Sequence, residues 1–531
     1  MSRRRLVLVA AGVLVGMSCV RLLPQWSAAP ETTIPAATPG TWHPGMDLRE
    51  TFESLSASPV HRAEVELLDD NVAAWVARWR ALAGARERID VDYFIFSQDV
   101  FGMAFLGHLL QKAREGVRVR VLLDAQGLRM SQQSYGLDCL GVLGGVPGVS
   151  LRIHRSMGRR LLDAAVWLDP LVASASDHDK IIVVDGARSV VGGRNIETKY
   201  FAHPDDLPEA FHDVDVLIEG PAVARVLTQI FETTWDSDRV YTAEVAAETA
   251  RCEDALWLAY EAMDAWLGGR PFPGEATASA EGRVPWIAEL QRLPRLRGSG
   301  AGRAGERMPV EAEVVDSLPR AGSPEDPVTR GLLRLFAAAR ESVLIESPYV
   351  VLTNDAAATL AAAGRQGVEV TLLTNSPVST DNALSQTYFM EQWPRLLATA
   401  PEVRLYAIGT RHNLHSKVAV FDERAVVIGS YNLDPFSMLI SGEVVVALWS
   451  PAFARRVGAR PRRLITAGPP RVYEYTIERD AEGRPVHTMT GEVAIGFGPG
   501  DHTDAMQWPR PGVRMAFVRA VPWLFGLPSF F

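Results

Sequence analysis

Short apolar runs, closed at both ends by polar or glycine positions, recur along this chain, and longer stretches with helical apolar spacing separate them. The runs IIVV at 181–184 and VAVF at 418–421 are β-branched and apolar, the pattern of a strand buried on both faces. FLGHLLQKAREG at 105–116 and AAATLAAAGRQG at 356–367 read as helices. ARERIDVDYF at 85–94 pairs with ARESVLIESPY at 339–349, and REGVRVRVLLD at 114–124 pairs with RQGVEVTLLTN at 365–375. Each half of the chain therefore reads strand, helix, strand and then one of the two apolar runs. This alternation predicts an α/β fold: a mostly parallel sheet with helices on its faces, built as two pseudo-symmetric sandwich halves with the site at their seam.

The polar positions around the two runs repeat as well. His178, Lys180 and Asp185 frame the first in HDKIIVVD, and His415, Lys417 and Asp422 frame the second in HSKVAVFD. A glycine turn ending in asparagine follows each: GGRN at Asn195 and GSYN at Asn432. The whole set is displaced by one constant step, from 178 to 415, from 185 to 422 and from 195 to 432. On a strand, residues two apart point the same way, so each His and its Lys project from one face. A cation beside an imidazole, with an Asn donor nearby, suits an anionic ligand rich in oxygens, and a phosphate group fits best. Two such halves place imidazoles on opposite sides of one phosphorus. One attacks while the other protonates the departing oxygen, and the lysines and asparagines neutralise the equatorial charge. This scheme calls for no metal and no cofactor.

At 531 residues and 47% hydrophobic, the chain is long enough for two cores. Its net charge of −9 argues against nucleic acid, whose binding rests on a basic surface, and favours a lipid phosphodiester.

HDKIIVVD with GGRN, and HSKVAVFD with GSYN, resemble the paired signature motifs of the phospholipase D superfamily. IDVDYFIF at 89–96, GGRNIETKYF at 192–201, FHDVDVLIEGPAV at 211–223, LTNSPVSTDN at 373–382 and IGSYNLDPFS at 428–437 narrow the resemblance to bacterial cardiolipin synthases. The resemblance implies that His178 is the nucleophile, forming a phosphohistidine, and that His415 is the general acid and then base. Lys180, Lys417, Asn195 and Asn432 would hold the phosphoryl oxygens. The family also orients its imidazoles with carboxylates, for which Glu443 and Asp213 are the candidates. Ser430 completes the second motif, where the first has Gly193, so the halves are unequal donors. Asp185 and Asp422, the last members of the motifs, sit at the far ends of their strands and are expected to tie the framework together.

The implied function is transfer of a phosphatidyl group between phospholipids, with phosphatidylglycerol and phosphatidylethanolamine as candidate substrates. Hydrolysis to phosphatidic acid uses the same residues. A nuclease-like phosphodiesterase and a non-catalytic lipid-binding protein are the remaining readings. The chain opens with MSRRR and an apolar run, LVLVAAGVLVGMSCV, which reads as a signal peptide or a membrane anchor. That places the protein at the membrane of the bacterial cell envelope. Ser18-Cys19 also resembles the end of a lipoprotein signal, although Gly16 and Met17 depart from it. The expected organisation is leader and tether over 1–47, a first domain over 48–240, a linker or insertion over 241–325, a second domain over 326–460, and an extension with an aromatic tail over 461–531. Within the linker, LPRLRGSGAGRAGERMP at 293–309 reads as a mobile surface loop. Cys139 and Cys252 lack metal-ligand spacing and are free to pair in an oxidising compartment.

Overall fold

All the residues of IIVV and VAVF are buried, as their composition requires. The computed structural model describes residues 46–132, 138–166, 170–243, 249–272, 285–302, 304–319, 326–486 and 495–497. The apolar leader, Cys19, the tether as far as residue 45 and the aromatic tail lie outside these. The first half carries β1 (His61–Leu68), β2 (Arg88–Tyr93), β3 (Arg118–Asp124) and β4 (Val149–His154). It continues with β5 (Lys180–Val184), β6 (Arg188–Gly192), β7 (Asp215–Glu219) and β8 (Val240–Thr242). After β9 (Arg307–Ser317), the second half carries β10 (Ser342–Glu346), β11 (Glu369–Asn375), β12 (Val403–Ile408) and β13 (Val418–Phe421). It ends with β14 (Ala425–Gly429), β15 (Glu443–Trp449), β16 (Val472–Ile477) and β17 (Ile495–Phe497).

Pairing runs β8-β4-β3-β2-β5-β6-β7-β1 through the first half, and β9 joins β1 to β15. It continues β15-β14-β13-β10-β11-β12-β16-β17. The expectation of a mostly parallel sheet is corrected here. Among the pairs of strands described, only β2–β3, β3–β4, β10–β11 and β11–β12 are parallel, because the motif strands β5 and β13 return as hairpins with β6 and β14 rather than through helical crossovers. The α/β class and the duplication stand. Gly192 faces Asp215 across β6–β7 and Gly429 faces Val445 across β14–β15, so the halves repeat in register. Asp213 and Glu443 each lie two residues before those partners.

Alternation along the motif strands divides the core into three layers. Ile182 and Val184 face a first-half core with the helices Asn71–Ala83 and Val100–Arg114, while Ala419 and Phe421 face a second-half core. Ile181, Val183, Val418 and Val420 meet between the halves, packed with the helices Pro221–Trp235 and Pro451–Ala467. The motif strands are therefore buried on both faces by opposite halves of the chain.

The described residues of 241–325, expected as a linker or insertion, pack on the first half. The helix Thr249–Leu267 lies on Val100–Arg114 and contributes Leu256, Ala259 and Met263 to the first-half core, and Cys252 bonds Cys139 there. The expected mobile loop at 293–309 is corrected. Leu293 and Leu296 are buried, and residues 307–309 begin β9, the strand that joins the halves. Arginine and glycine content concealed a strand that takes its order from pairing on both edges.

Candidate active site

The two HxK segments stand at the ends of β5 and β13 nearest the seam, and each is hydrogen-bonded to a loop of the opposite half. The His178 amide donates to the Gly442 carbonyl at 3.0 Å, and the His415 amide donates to that of His212 at 2.6 Å. This lacing brings the residue after each acceptor to the imidazole across the seam. His178 Nδ1 lies 3.0 and 3.1 Å from the Glu443 carboxylate oxygens, and His415 Nδ1 lies 2.6 Å from Asp213 Oδ2. Each half thus supplies the carboxylate for the other half's histidine.

A carboxylate at Nδ1 fixes the tautomer and leaves Nε2 for chemistry. Glu443 is itself held by Ser430 Oγ at 2.5 Å and Ser437 Oγ at 2.6 Å. Gly193, the counterpart of Ser430, leaves room for Asp213. A Cβ there would stand 2.3 Å from Asp213 Oδ1. The halves therefore differ as a pair: Ser with the longer Glu, Gly with the shorter Asp.

Lys180 Nζ donates to the His178 carbonyl at 2.6 Å. Lys417 Nζ donates to the His415 carbonyl and lies 2.7 Å from His415 Nδ1, so the ammonium and Asp213 compete for that nitrogen. Both lysines are buried, whereas the His178 side chain keeps 15% of its exposure and that of His415 8%, so the imidazoles form the face that a ligand meets. Burial, reinforced by Lys180, Lys417 and His415, holds His178 well below its ordinary 6.5. Burial and Lys417 lower His415 against the pull of Asp213. Burial brings Lys180 down to about 8 and pushes Glu443 up to about 7. An anion between the imidazoles relieves this excess of positive charge.

The asparagines are unequal too. Asn195 accepts from the Ile95 amide at 3.1 Å and donates to the Tyr200 hydroxyl at 3.0 Å, while Asn432 Oδ1 is buried without a partner. Asp185 and Asp422 stay outside the site. Their φ angles are 52° and 50°, in the left-handed region. Asp185 accepts the amides of Arg86, Glu87 and Arg88, and Asp422 accepts those of Arg340, Glu341 and Ser342. They tie each motif strand to the start of its antiparallel neighbour, β2 or β10, at the end opposite the histidines.

Several residues escaped the sequence reading. Tyr200 OH lies 3.3 Å from His415 Nε2, Phe211 stacks on His415 at 5.5 Å between ring centroids, and Phe94 meets His178 edge-on at 4.8 Å. The quoted segments GGRNIETKYF, FHDVDVLIEGPAV and IDVDYFIF contain all three, but nothing in their spacing singled them out. Asp92, Asp177 and Asp179 form a buried cluster whose oxygens lie within 4.8 Å of one another, a donor set able to hold a metal ion. Burial raises all three carboxyls, and Asp177 adds to the rise of Asp92 and Asp179, so protonation also accounts for their burial. Among the described residues, no helix is long and apolar enough to cross a membrane.

Residues 79–235 and 332–464 match the family described as "Cardiolipin synthase, PLD-like domain". Cardiolipin synthase C of Escherichia coli is 26% identical over 491 residues, covering 86% of this chain and 95% of that protein. Cardiolipin synthase A of Pseudomonas syringae is 25% identical over 470 residues, covering 85% and 81%. The crystal structure of phosphatidylserine synthase from Haemophilus influenzae superposes with a TM-score of 0.54 at 15% identity, covering 78% of this chain and 89% of that one, a likeness of fold.

Proposed function

Since the chain belongs to the PLD-like family of cardiolipin synthases, a family of phospholipid-modifying enzymes, we propose that it is a phosphatidyltransferase acting between phospholipids through a phosphohistidine on His178. His178 Nε2 attacks the donor phosphorus, and the bond from phosphorus to the headgroup alcohol breaks. His415 Nε2–H gives its proton to the departing oxygen. The same His415 then takes the proton of the incoming hydroxyl, which attacks phosphorus and releases His178. Lys180 and Lys417 offset the charge gathered on the phosphoryl oxygens. The donor and acceptor we favour are phosphatidylglycerol and its own glycerol hydroxyl, with phosphatidylethanolamine as a second donor.

The observation that carries this reading is the crossed pairing, in which two imidazoles are each held at Nδ1 by a carboxylate of the other half with two buried lysines beside them. We also place the protein at the cell envelope, held by the apolar run near its N-terminus. The Cys139–Cys252 bond supports an oxidising compartment.

The test is mass analysis of lipids after incubating the purified protein with phosphatidylglycerol in mixed micelles, with and without phosphatidylethanolamine. Cardiolipin that appears, and vanishes in His178→Ala, is the expected result. Phosphatidic acid alone would make the enzyme a hydrolase, and no lipid product would overturn the reading.

A further inference from the structure

Among the described residues, the large apolar side chains left exposed are concentrated at one end. Leu161, Leu162 and Val166 project from the helix Met157–Val166, which follows the C-terminal end of β4. Arg160 of that helix donates to the Ala175 carbonyl, in the loop that leads to His178. Phe436 and Leu439 stand on the short helix Pro435–Leu439, which begins three residues after Asn432, and Leu318 follows Ser317, which pairs with Glu443. The other two, Met130 and Tyr241, lie just past β3 and opposite Ile153 near the end of β4. Every one of these positions is on the side of the histidines. At the Asp185 and Asp422 end, no large apolar side chain is exposed among the described residues.

We propose that this apolar rim is the surface on which the protein docks to a phospholipid bilayer, so that the site opens at the depth of the headgroup phosphates. The proposal rests on the lipid substrate assigned above and names where that substrate is met. A monomeric soluble domain scatters its exposed apolar residues, so a collection around one opening marks an interaction face. An apolar helix face of this kind settles about 5–10 Å into the boundary between headgroups and acyl chains.

The path of the chain favours a bilayer over another occupant. The described residues begin at Met46, whose carbonyl accepts from Arg340, and the Arg340 amide caps Asp422. The chain thus enters at the end opposite the rim. Residues 24–45 are rich in Pro, Ala and Thr and, at about 3.1 Å per residue, reach about 70 Å when extended. The motif strands cover only about 25 Å from the histidines to the far aspartates. An apolar run at 6–20 seated in a membrane therefore leaves the rim free to turn towards the same membrane.

The test uses the full chain with Cys19→Ser. Leu162→Cys, Leu439→Cys and, at the far end, Gln366→Cys each carry an environment-sensitive fluorophore, read with vesicles of phosphatidylglycerol and phosphatidylethanolamine containing a doxyl-lipid quencher. Quenching at 162 and 439 but not at 366 is expected. In parallel, Leu161→Glu/Leu162→Glu should lower turnover of vesicle phosphatidylglycerol by about tenfold or more, while turnover of a monomeric short-chain phosphatidylglycerol stays within about twofold. Equal quenching at all three positions, or none, overturns the proposal. So does shielding at 162 without vesicles that rises with protein concentration, which assigns the rim to a second copy, or that vanishes when residues 516–531 are deleted, which assigns it to the chain's own tail. If no phosphodiester is turned over but 162 and 439 are still quenched, the catalytic reading fails and the docking surface stands.

Discussion

Asp213→Asn and Glu443→Gln test the crossed pairing, because each should damage the imidazole of the other half and so a different chemical step. Asp213 Oδ2 lies 2.6 Å from His415 Nδ1, with both groups buried. Removing the carboxylate charge forfeits a hydrogen bond to a charged group, worth about 1.5–3 kcal/mol. The coulombic stabilisation of an imidazolium is about 4 kcal/mol at roughly 4 Å and an effective dielectric of about 20. At about 1.4 kcal/mol per factor of ten, proton transfer by His415 should slow between about tenfold and a thousandfold. The asparagine variant should therefore lose the first half-reaction with a donor carrying an alkyl alcohol and regain at least about tenfold in the single-turnover release of p-nitrophenol, a leaving group that needs no proton. Its phosphohistidine should still form and be visible by mass spectrometry of alkali-quenched enzyme. Glu443→Gln weakens the nucleophile instead, so both donors should slow alike and the intermediate should be scarce. Rescue by p-nitrophenol in Glu443→Gln but not in Asp213→Asn would refute the assignment of roles, and identical profiles in the two variants would refute the crossing.

Three further outcomes follow from the same geometry. Gly193→Ala should mimic Asp213→Asn in turnover while circular dichroism stays native, since its Cβ needs the space of Asp213 Oδ1, 2.3 Å away; full activity would show that the carboxylate can retreat. The rate profile should be bell-shaped. Burial among cations keeps His178 neutral as the pH falls through 6.5, so the acid limb lies below that value. The basic limb belongs to His415, which must carry its proton to act as the acid and which burial and Lys417 lower against the pull of Asp213; Asp213→Asn removes that pull and should move the basic limb further down in kcat/KM against pH. A basic limb that does not move would assign it to another group. Asp185→Ala should lower stability by about 1–3 kcal/mol, seen as a lower Tm, because the amides of Arg86, Glu87 and Arg88 lose their acceptor. Activity per folded molecule should persist, whereas catalytic loss without a fall in Tm would return Asp185 to the site.

The linear sequence determined a good deal. Strand character came from IIVV and VAVF, because a run apolar on both sides has no face to give to water. The displaced copies of His, Lys and Asn announced two equivalent halves, since a polar set kept in register over that distance answers to one geometry. The caps at Asp185 and Asp422 were legible as framework because they close their strands at the end away from the histidines.

Tertiary structure decided the rest, through pairings that local pattern does not encode. A hairpin and a parallel crossover present the same apolar runs, so β5 and β13 gave no sign of joining their sheets antiparallel. The arginines and glycines around β9 hid a strand whose order comes from β1 on one edge and β15 on the other. The carboxylate partners were open for the same reason. Glu443 and Asp213 could be named from position, but which histidine each serves depends on two loops hydrogen-bonded across the seam. The apolar rim is assembled from short segments after β3, β4, β9 and Asn432, far apart in sequence and neighbours only because the strands end together. Local composition can specify what a segment becomes, whereas the company it keeps is set by long-range pairing and burial.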